Sequence, residues 1–226
     1  DQLYQTAILE GLSYISEEEP EWTFVCARLY LRMMYREAAR QRGYDARERY
    51  GDFYSLIVSL TEQGVYSPLL LERYTKEEIE TAGSFLDPDK DLLFTYIGLR
   101  TLADRYLARD YERRLYELPQ ERFLIIAMTL MVNEPPKRRL ELVKEAYWAL
   151  SNLYMTVATP TLANAGKSYG QLSSCFVDTV DDSLQAIYDS NTDIANLSKS
   201  GGGIGVYLGK IRSRGSDIRG FKGVSS

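Results

Sequence analysis

Ser173-Ser174-Cys175-Phe176-Val177, then Asp182 to about Leu197, then Gly201-Gly202-Gly203-Ile204-Gly205-Val206-Tyr207-Leu208 form the stretch that decides the fold. The short apolar run from Ser174 to Val177 predicts a strand. Leu184, Ile187, Asn191, Ile194 and Ala195 return at helical spacing, with Asp182 as the predicted N-cap and Gln185 at the third helical position. The glycine run feeds a second apolar segment, 204–208. Strand, helix and strand in that order signal a parallel α/β unit. Two strands cannot close a parallel sheet, so the unit reads as the opening of a larger α/β domain.

Upstream, residues 1–157 read as a helical domain. Leu3, Ile8, Leu12 and Ile15 recur at roughly helical spacing. Leu29, Leu31 and Met33 sit in the next segment, which ends in a charged stretch at Arg40-Gln41-Arg42-Gly43. Phe53, Leu56, Ile57 and Leu60 follow the i, i+3, i+4, i+7 pattern up to Gly64. Thr75 with Glu78 predicts a capping box. Leu92, Tyr96, Leu99 and Ala103 predict one face of a helix over 91–107. Pro119 opens another helix, Pro135-Pro136 breaks it, and Leu140, Val143, Tyr147 and Leu150 mark the next. After Tyr154 small residues and glycines replace charged helices. The expected fold class is therefore mixed α and α/β: a helical domain over 1–157 and an incomplete α/β domain over 158–226.

Composition narrows the chemistry. The chain has 226 residues, 45% hydrophobic and 26% charged, as a globular protein does. Its net charge of −5 argues against a nucleic-acid-binding face, and no apolar run is long enough for a membrane span. The 2 cysteines, Cys26 and Cys175, are too few for a disulfide scaffold and suit a reducing cytoplasm. Histidine is absent, which removes Ser-His-Asp and Cys-His nucleophile systems and most zinc sites.

Two readings of Cys175 stand side by side: a small buried hydrophobe, or a thiol in a polar pocket shared with Ser173, Ser174 and the upstream Thr159-Pro160-Thr161. Cys26, within a helical segment, reads as a packing residue, so a disulfide partner for Cys175 must come from elsewhere. The glycine run is either a tight helix-to-strand turn or a place where a ligand packs against the main chain. It fits neither a phosphate-binding Walker loop nor a dinucleotide fingerprint. Arg212, Arg214 and Arg219 lie in a glycine-punctuated loop, which is a solvated surface loop or a grip for phosphates. The 18 tyrosines read as packing residues of amphipathic helices.

Together these segments resemble the large, catalytic (alpha) subunit of ribonucleotide reductase, in its N-terminal portion and nearer to class I than to the cobalamin class. Thr159-Pro160-Thr161, Ser173-Ser174-Cys175, Asp182-Ser183-Leu184, Lys199 to Gly205 and Arg212 to Gly220 carry the resemblance; Tyr4 to Ala7, Ala27-Arg28-Leu29 and Asp89-Lys90-Asp91 match more loosely. The resemblance implies a helical N-terminal domain followed by the first strands and helices of a ten-stranded α/β barrel. It implies that Cys175 is one of two reducing thiols in thiyl-radical reduction of ribonucleotides, and that Thr161, Ser174 and Gly203 join Cys175 in binding the substrate. Asp182, Ser183 and Leu184 are expected to read a dNTP effector, with Arg212 and Arg219 on its phosphates.

No metal is expected in this chain; the radical cofactor, a metal centre, is expected in a radical-generating small subunit. The other implied partners are the C-terminal half of the large subunit, a second copy across the helix after Asp182, and a thioredoxin- or glutaredoxin-type reductant. Activity control through an ATP-cone is not expected from this chain, and the chain is expected to be inactive without its complement, as in a split subunit. The alternative reading is a non-catalytic dNTP-binding or assembly module derived from the same fold.

Overall fold

The computed structural model describes residues 2–223; Asp1 and residues 224–226, the outer ends of the two expected domains, lie outside the described residues. The chain divides into two units, which part between Tyr169 and Gly170. The first is helical: α1 (Gln2–Ser13), α2 (Trp22–Arg42), α3 (Phe53–Glu62), α4 (Leu69–Arg73), α5 (Lys76–Gly83), α6 (Tyr96–Arg105), α7 (Pro119–Leu130), α8 (Pro136–Ser151) and α9 (Thr159–Asn164). The second holds β1 (Cys175–Thr179), α10 (Leu184–Lys199) and β2 (Gly203–Tyr207). No helix among the described residues is long and apolar enough to cross a membrane.

Local sequence accounts for most helix positions. Phe53, Leu56, Ile57 and Leu60 are the buried face of α3, as their spacing predicts, and Asp52 caps it by accepting from the Ser55 N–H. The Thr75–Glu78 capping box is present at α5. Pro119 and Pro136 stand at the first helical position of α7 and α8, where a missing N–H costs nothing. Helix α7 is buried on every side from Pro119 to Thr129, so it forms the centre of the unit.

Three expectations change. Leu3 is 80% and Ile15 40% exposed, leaving Ile8 as the buried apolar side chain of α1. The buried stripe of α2 is Cys26, Ala27, Tyr30, Leu31, Met34, Tyr35, Ala38 and Ala39, while Leu29 and Met33 are half-buried; a 3.6-residue period started at Cys26 gives that stripe. The helix expected over 91–107 is interrupted: a 3₁₀ segment, Pro88–Leu93, precedes α6, and Thr95 caps α6 by accepting from the Gly98 N–H. Leu92 is left exposed, and Asp91 turns inward instead.

Asp91 is buried within a polar core. Its carboxylate accepts from the Tyr35 hydroxyl at 2.6 Å, the Tyr50 hydroxyl at 2.8 Å and the Gln120 amide at 2.8 Å. Burial raises its pKa to about 6 against these hydrogen bonds, which favour the charged form. A carboxyl raised by folding binds its proton more tightly folded than unfolded. Its contribution is therefore fully present below the ordinary value of 3.8 and is lost as pH rises through about 6. Urea titrations of the wild type and Asp91→Asn across that window should show the stability loss with rising pH flattened in the variant. Equal slopes in the two proteins would contradict the assignment.

The two units part after α9, because α9 and the residues after it are tied to the helices. The Ser67 N–H bonds the Gly166 carbonyl at 2.9 Å, the Ser168 N–H bonds the Val65 carbonyl at 3.1 Å, and Arg122 donates to the Ala165 carbonyl.

In the second unit β1 and β2 pair in parallel, Cys175 opposite Gly203 and Thr179 opposite Tyr207. Side chains alternate across a strand. Phe176 and Asp178 are half-buried, whereas Cys175, Val177 and Thr179 are exposed. Val206 lines a hollow with Ile187, Asn191 and Ile194 of α10, so the Phe176/Val206 side is the helix-covered face. Cys175, Val177 and Thr179 with Gly203, Gly205 and Tyr207 form the other, open face.

Candidate functional site

The open face begins with sulfur. Cys175 is a free, exposed cysteine at the first position of β1, so the reading of it as a buried hydrophobe does not hold. The Ser174 hydroxyl lies 3.5 Å from its Sγ. The Ser174 carbonyl accepts from the Gly203 N–H at 2.9 Å, locking the start of β2 beside the thiol. Cys26, in contrast, is fully buried on α2; its thiol points at the Ile8 carbonyl at 3.7 Å, and burial pushes its pKa up. It is the packing residue the sequence predicts.

The glycine run serves two purposes at once. Gly201 has φ +84°, the left-handed region that closes α10, and a Cβ on Gly202 would lie 2.5 Å from the Phe176 ring. Both glycines are demanded by the fold. Gly203 is different: a Cβ there would meet nothing nearer than the Ser174 carbonyl at 3.5 Å, an ordinary contact. Its exposed main chain, level with Cys175, is open to an approaching ligand.

At the far end of the same strands the charged residues gather. Five residues of strand span about 13 Å between their first and last Cα atoms. Beyond β1 lie Asp181 and Asp182, beyond β2 Lys210 and Arg212. Arg212 pairs with the Asp182 carboxylate at 2.6 Å, and Lys210 with Asp181 at 2.8 Å. The engagement of Asp182 by Arg212 corrects the predicted cap. Ser183 is the N-cap of α10, accepting from the Ala186 N–H at 3.1 Å, and Gln185 instead bonds Asp189 within the helix. Leu184 is 75% exposed at the first helical position. Arg219 sits at φ 52° in a turn closed by the Ile218–Phe221 bridge. The sequence reading misses the Lys210–Asp181 pair, which neighbours Arg212–Asp182 along both segments; only the shared order of opposite charges after each strand signals it.

The structure thus brings Ser174, Cys175 and Gly203 together at one end of the strand pair, and Asp182, Ser183, Leu184 and Arg212 at the other. Thr161 belongs to the first unit, in α9, where it is buried. Among the described residues no group of three or more His, Cys, Asp or Glu is arranged to hold a metal ion.

Comparison with known proteins adds to this geometry. The family model for the ribonucleotide reductase all-alpha domain matches residues 92–170, and the model for the ribonucleotide reductase barrel domain matches residues 173–226. The chain is similar to the ribonucleoside-diphosphate reductase subunit alpha of Treponema pallidum (strain Nichols), 42% identical over 221 residues, which is 98% of this chain and 26% of that protein. It is 36% identical over 226 residues to the protein of the same name from Helicobacter pylori (strain 26695), covering 100% of this chain and 27% of that one. With ribonucleoside-diphosphate reductase 1 subunit alpha of Escherichia coli (strain K12) it shares 31% identity, over 96% of this chain and 28% of that protein. The chain spans about a quarter of the length of the curated relatives it matches.

Proposed function

The chain belongs to the ribonucleotide reductase large-subunit family, with the family's all-alpha domain followed by the start of its barrel domain, and on that premise we propose that it supplies one reducing thiol and a dNTP specificity site to a ribonucleoside-diphosphate reductase. The net reaction removes the ribose 2′-hydroxyl as water. Two thiols give up two hydrogen atoms, and their sulfurs join as a disulfide. Cys175 is one of the two. Cys26 is barred from being the other by its burial, so the second reducing cysteine, like the cysteine that carries the thiyl radical, comes from the remainder of the large subunit. A radical-generating small subunit holds the metal centre, and a thioredoxin- or glutaredoxin-type protein reduces the disulfide.

The single observation carrying this reading is the in-register pairing of an exposed Cys175 with Gly203, whose glycine the fold itself does not require. A nucleotide laid along the Gly203 main chain has the Ser174 hydroxyl and the Cys175 thiol at its side. A purely dNTP-binding module has no use for that thiol. At the other strand end, Leu184 offers an apolar surface to a base, and Asp182 and Ser183 offer oxygens to a deoxyribose. Arg212 and Arg219 take phosphates: a guanidinium has five donors, so Arg212 can keep Asp182 on one edge and receive an anion on the other. The second copy packs across α10.

Gly203→Val tests the substrate half. Valine suits a strand, and the open face has room for it. In the assembled reductase kcat/KM should fall about 100-fold, the scale of a substrate displaced by about 1 Å, with dNTP affinity unchanged. A variant with wild-type kcat/KM would remove the substrate from this face.

A further inference from the structure

Helix α2 carries arginine at every fourth position, Arg28, Arg32, Arg36 and Arg40, and all four are exposed. Like charges at i, i+4 oppose one another on a helix, so helix formation gives no reason for the pattern, least of all in a chain of net charge −5. Arg32 and Arg36 line a concavity of about 500 Å³ together with Tyr4 of α1, Tyr35 of α2, and Arg47 and Arg49 of the turn that follows. Two separate elements therefore contribute arginines to the lining of one hollow, which two tyrosines also line.

The turn itself is strained. Arg49 has φ 64° and ψ −58°, and the Tyr50 N–H bonds back to the Glu48 carbonyl at 2.8 Å. This is a γ-turn of the rare positive-φ hand, costly for a residue with a side chain. Strain of this sort persists where its surroundings hold it, and it clusters at ligand-binding sites. Here the Tyr44 hydroxyl holds the Arg49 carbonyl at 3.0 Å and Asp89 holds its guanidinium at 2.7 Å. Asp45 pairs with Arg47, Glu48 stands between the two turn arginines, and Asp91 lies buried beneath Tyr35. Arg36 lies over the Tyr4 ring, 5.8 Å from its centroid. Among the described residues Arg32 makes no ion pair, so its charge is available to an anion in the hollow.

The geometry points to a binding site for a small polyphosphate-bearing ligand in this hollow, separate from the proposed substrate and effector positions. Its volume is that of a small-molecule site. Convergent guanidinium forks match phosphate oxygens in pairs, and a compact multivalent anion reaches both the α2 arginines and the turn arginines at once. An acidic helix of a partner protein would instead track the whole α2 stripe through Arg28 and leave the hollow unfilled.

Calorimetric titration with inorganic tripolyphosphate tests the site. In the Arg212→Gln background, which removes the proposed effector phosphate grip, one-site binding is expected, weakened at least about tenfold when Arg32→Gln/Arg47→Gln is added, the loss of two charge-assisted contacts. Both substituted side chains are on the surface, and an unchanged thermal transition shows that the variant is folded. Titration of ATP in the Arg212→Gln protein then separates the two sources of the phosphates. Binding tighter than tripolyphosphate and sensitive to Tyr4→Ala identifies a nucleotide; equal binding identifies a ligand recognised by its phosphates alone. Absence of tripolyphosphate binding, binding indifferent to the double substitution, or tighter binding of a glutamate-rich peptide at the same arginines would overturn the inference.

Discussion

Replacing Cys175 with serine in the assembled reductase is expected to abolish multiple turnover. A serine hydroxyl neither gives a hydrogen atom to a sugar radical as a thiol does nor closes a disulfide, so both halves of the proposed reduction fail together. The loss should be on the order of a thousandfold or more, the scale seen when one member of a concerted group is removed. The structure makes the variant a clean one. Cys175 is exposed, the Ser174 hydroxyl is its side chain's one hydrogen-bond neighbour among the described residues, and serine fits the strand position without new contacts. Folding and dNTP affinity should match the wild type, because the Arg212–Asp182 pair lies beyond the opposite ends of the strands. Normal cycling of the Cys175→Ser protein with a thiol reductant would end the assignment.

The second large effect concerns stability. Glu117 is fully buried and is the counter-charge of an interior that also contains Arg122, likewise fully buried. Its carboxylate accepts from the Tyr66 hydroxyl at 2.7 Å and from the Ala108 N–H, and it lies 3.4 Å from Arg122 Nη1. That ion pair is all that holds Nη1, since neither it nor Nε has a hydrogen-bond partner among the described residues. Lys167, lowered to about 8 by burial, is also stabilised in its charged form by Glu117. Glu117→Ala removes the carboxylate that faces both groups and strands Arg122 in the core. The expected destabilisation is about 3–5 kcal/mol, the usual cost of breaking a buried pair from one side. Glu117→Gln keeps an acceptor for Tyr66 and Ala108 and should fall between alanine and wild type in urea denaturation. A loss below about 1 kcal/mol for alanine, the range of an exposed pair, would show that Arg122 is solvated.

These two positions also show what the sequence conveys and what it hides. The strand–helix–strand order around Cys175 is legible because periodicity switches from 2 to 3.6 and back within one stretch, with Gly201 punctuating the second switch. The spacing of Phe53, Leu56, Ile57 and Leu60 and the Thr75–Glu78 box are equally plain, since they depend on neighbours within one or two turns. The polar core is not legible. Periodicity reasoning sends Asp91, Glu117, Gln120, Glu121 and Arg122 to the surface, yet all are buried. Their partners lie far along the chain: Arg42 reaches Glu121, and Tyr35 reaches Asp91. Asp182 reads as a cap for the same reason. Nothing local reveals that Arg212, thirty residues on, takes its carboxylate and leaves the capping to Ser183. Arg32 and Arg36 of α2 carry no site signal in the sequence; only the folded turn at Arg49 sets them around a hollow.

The redox assignment of Cys175 is tested most directly by one turnover without external reductant, followed by mass-spectrometric mapping of disulfides in the assembled reductase. The account predicts that product formation converts Cys175 from free thiol to a disulfide with a cysteine outside residues 1–226, one bridge for each deoxyribonucleotide made. Deoxyribonucleotide formed while Cys175 stays alkylatable as a free thiol would contradict it.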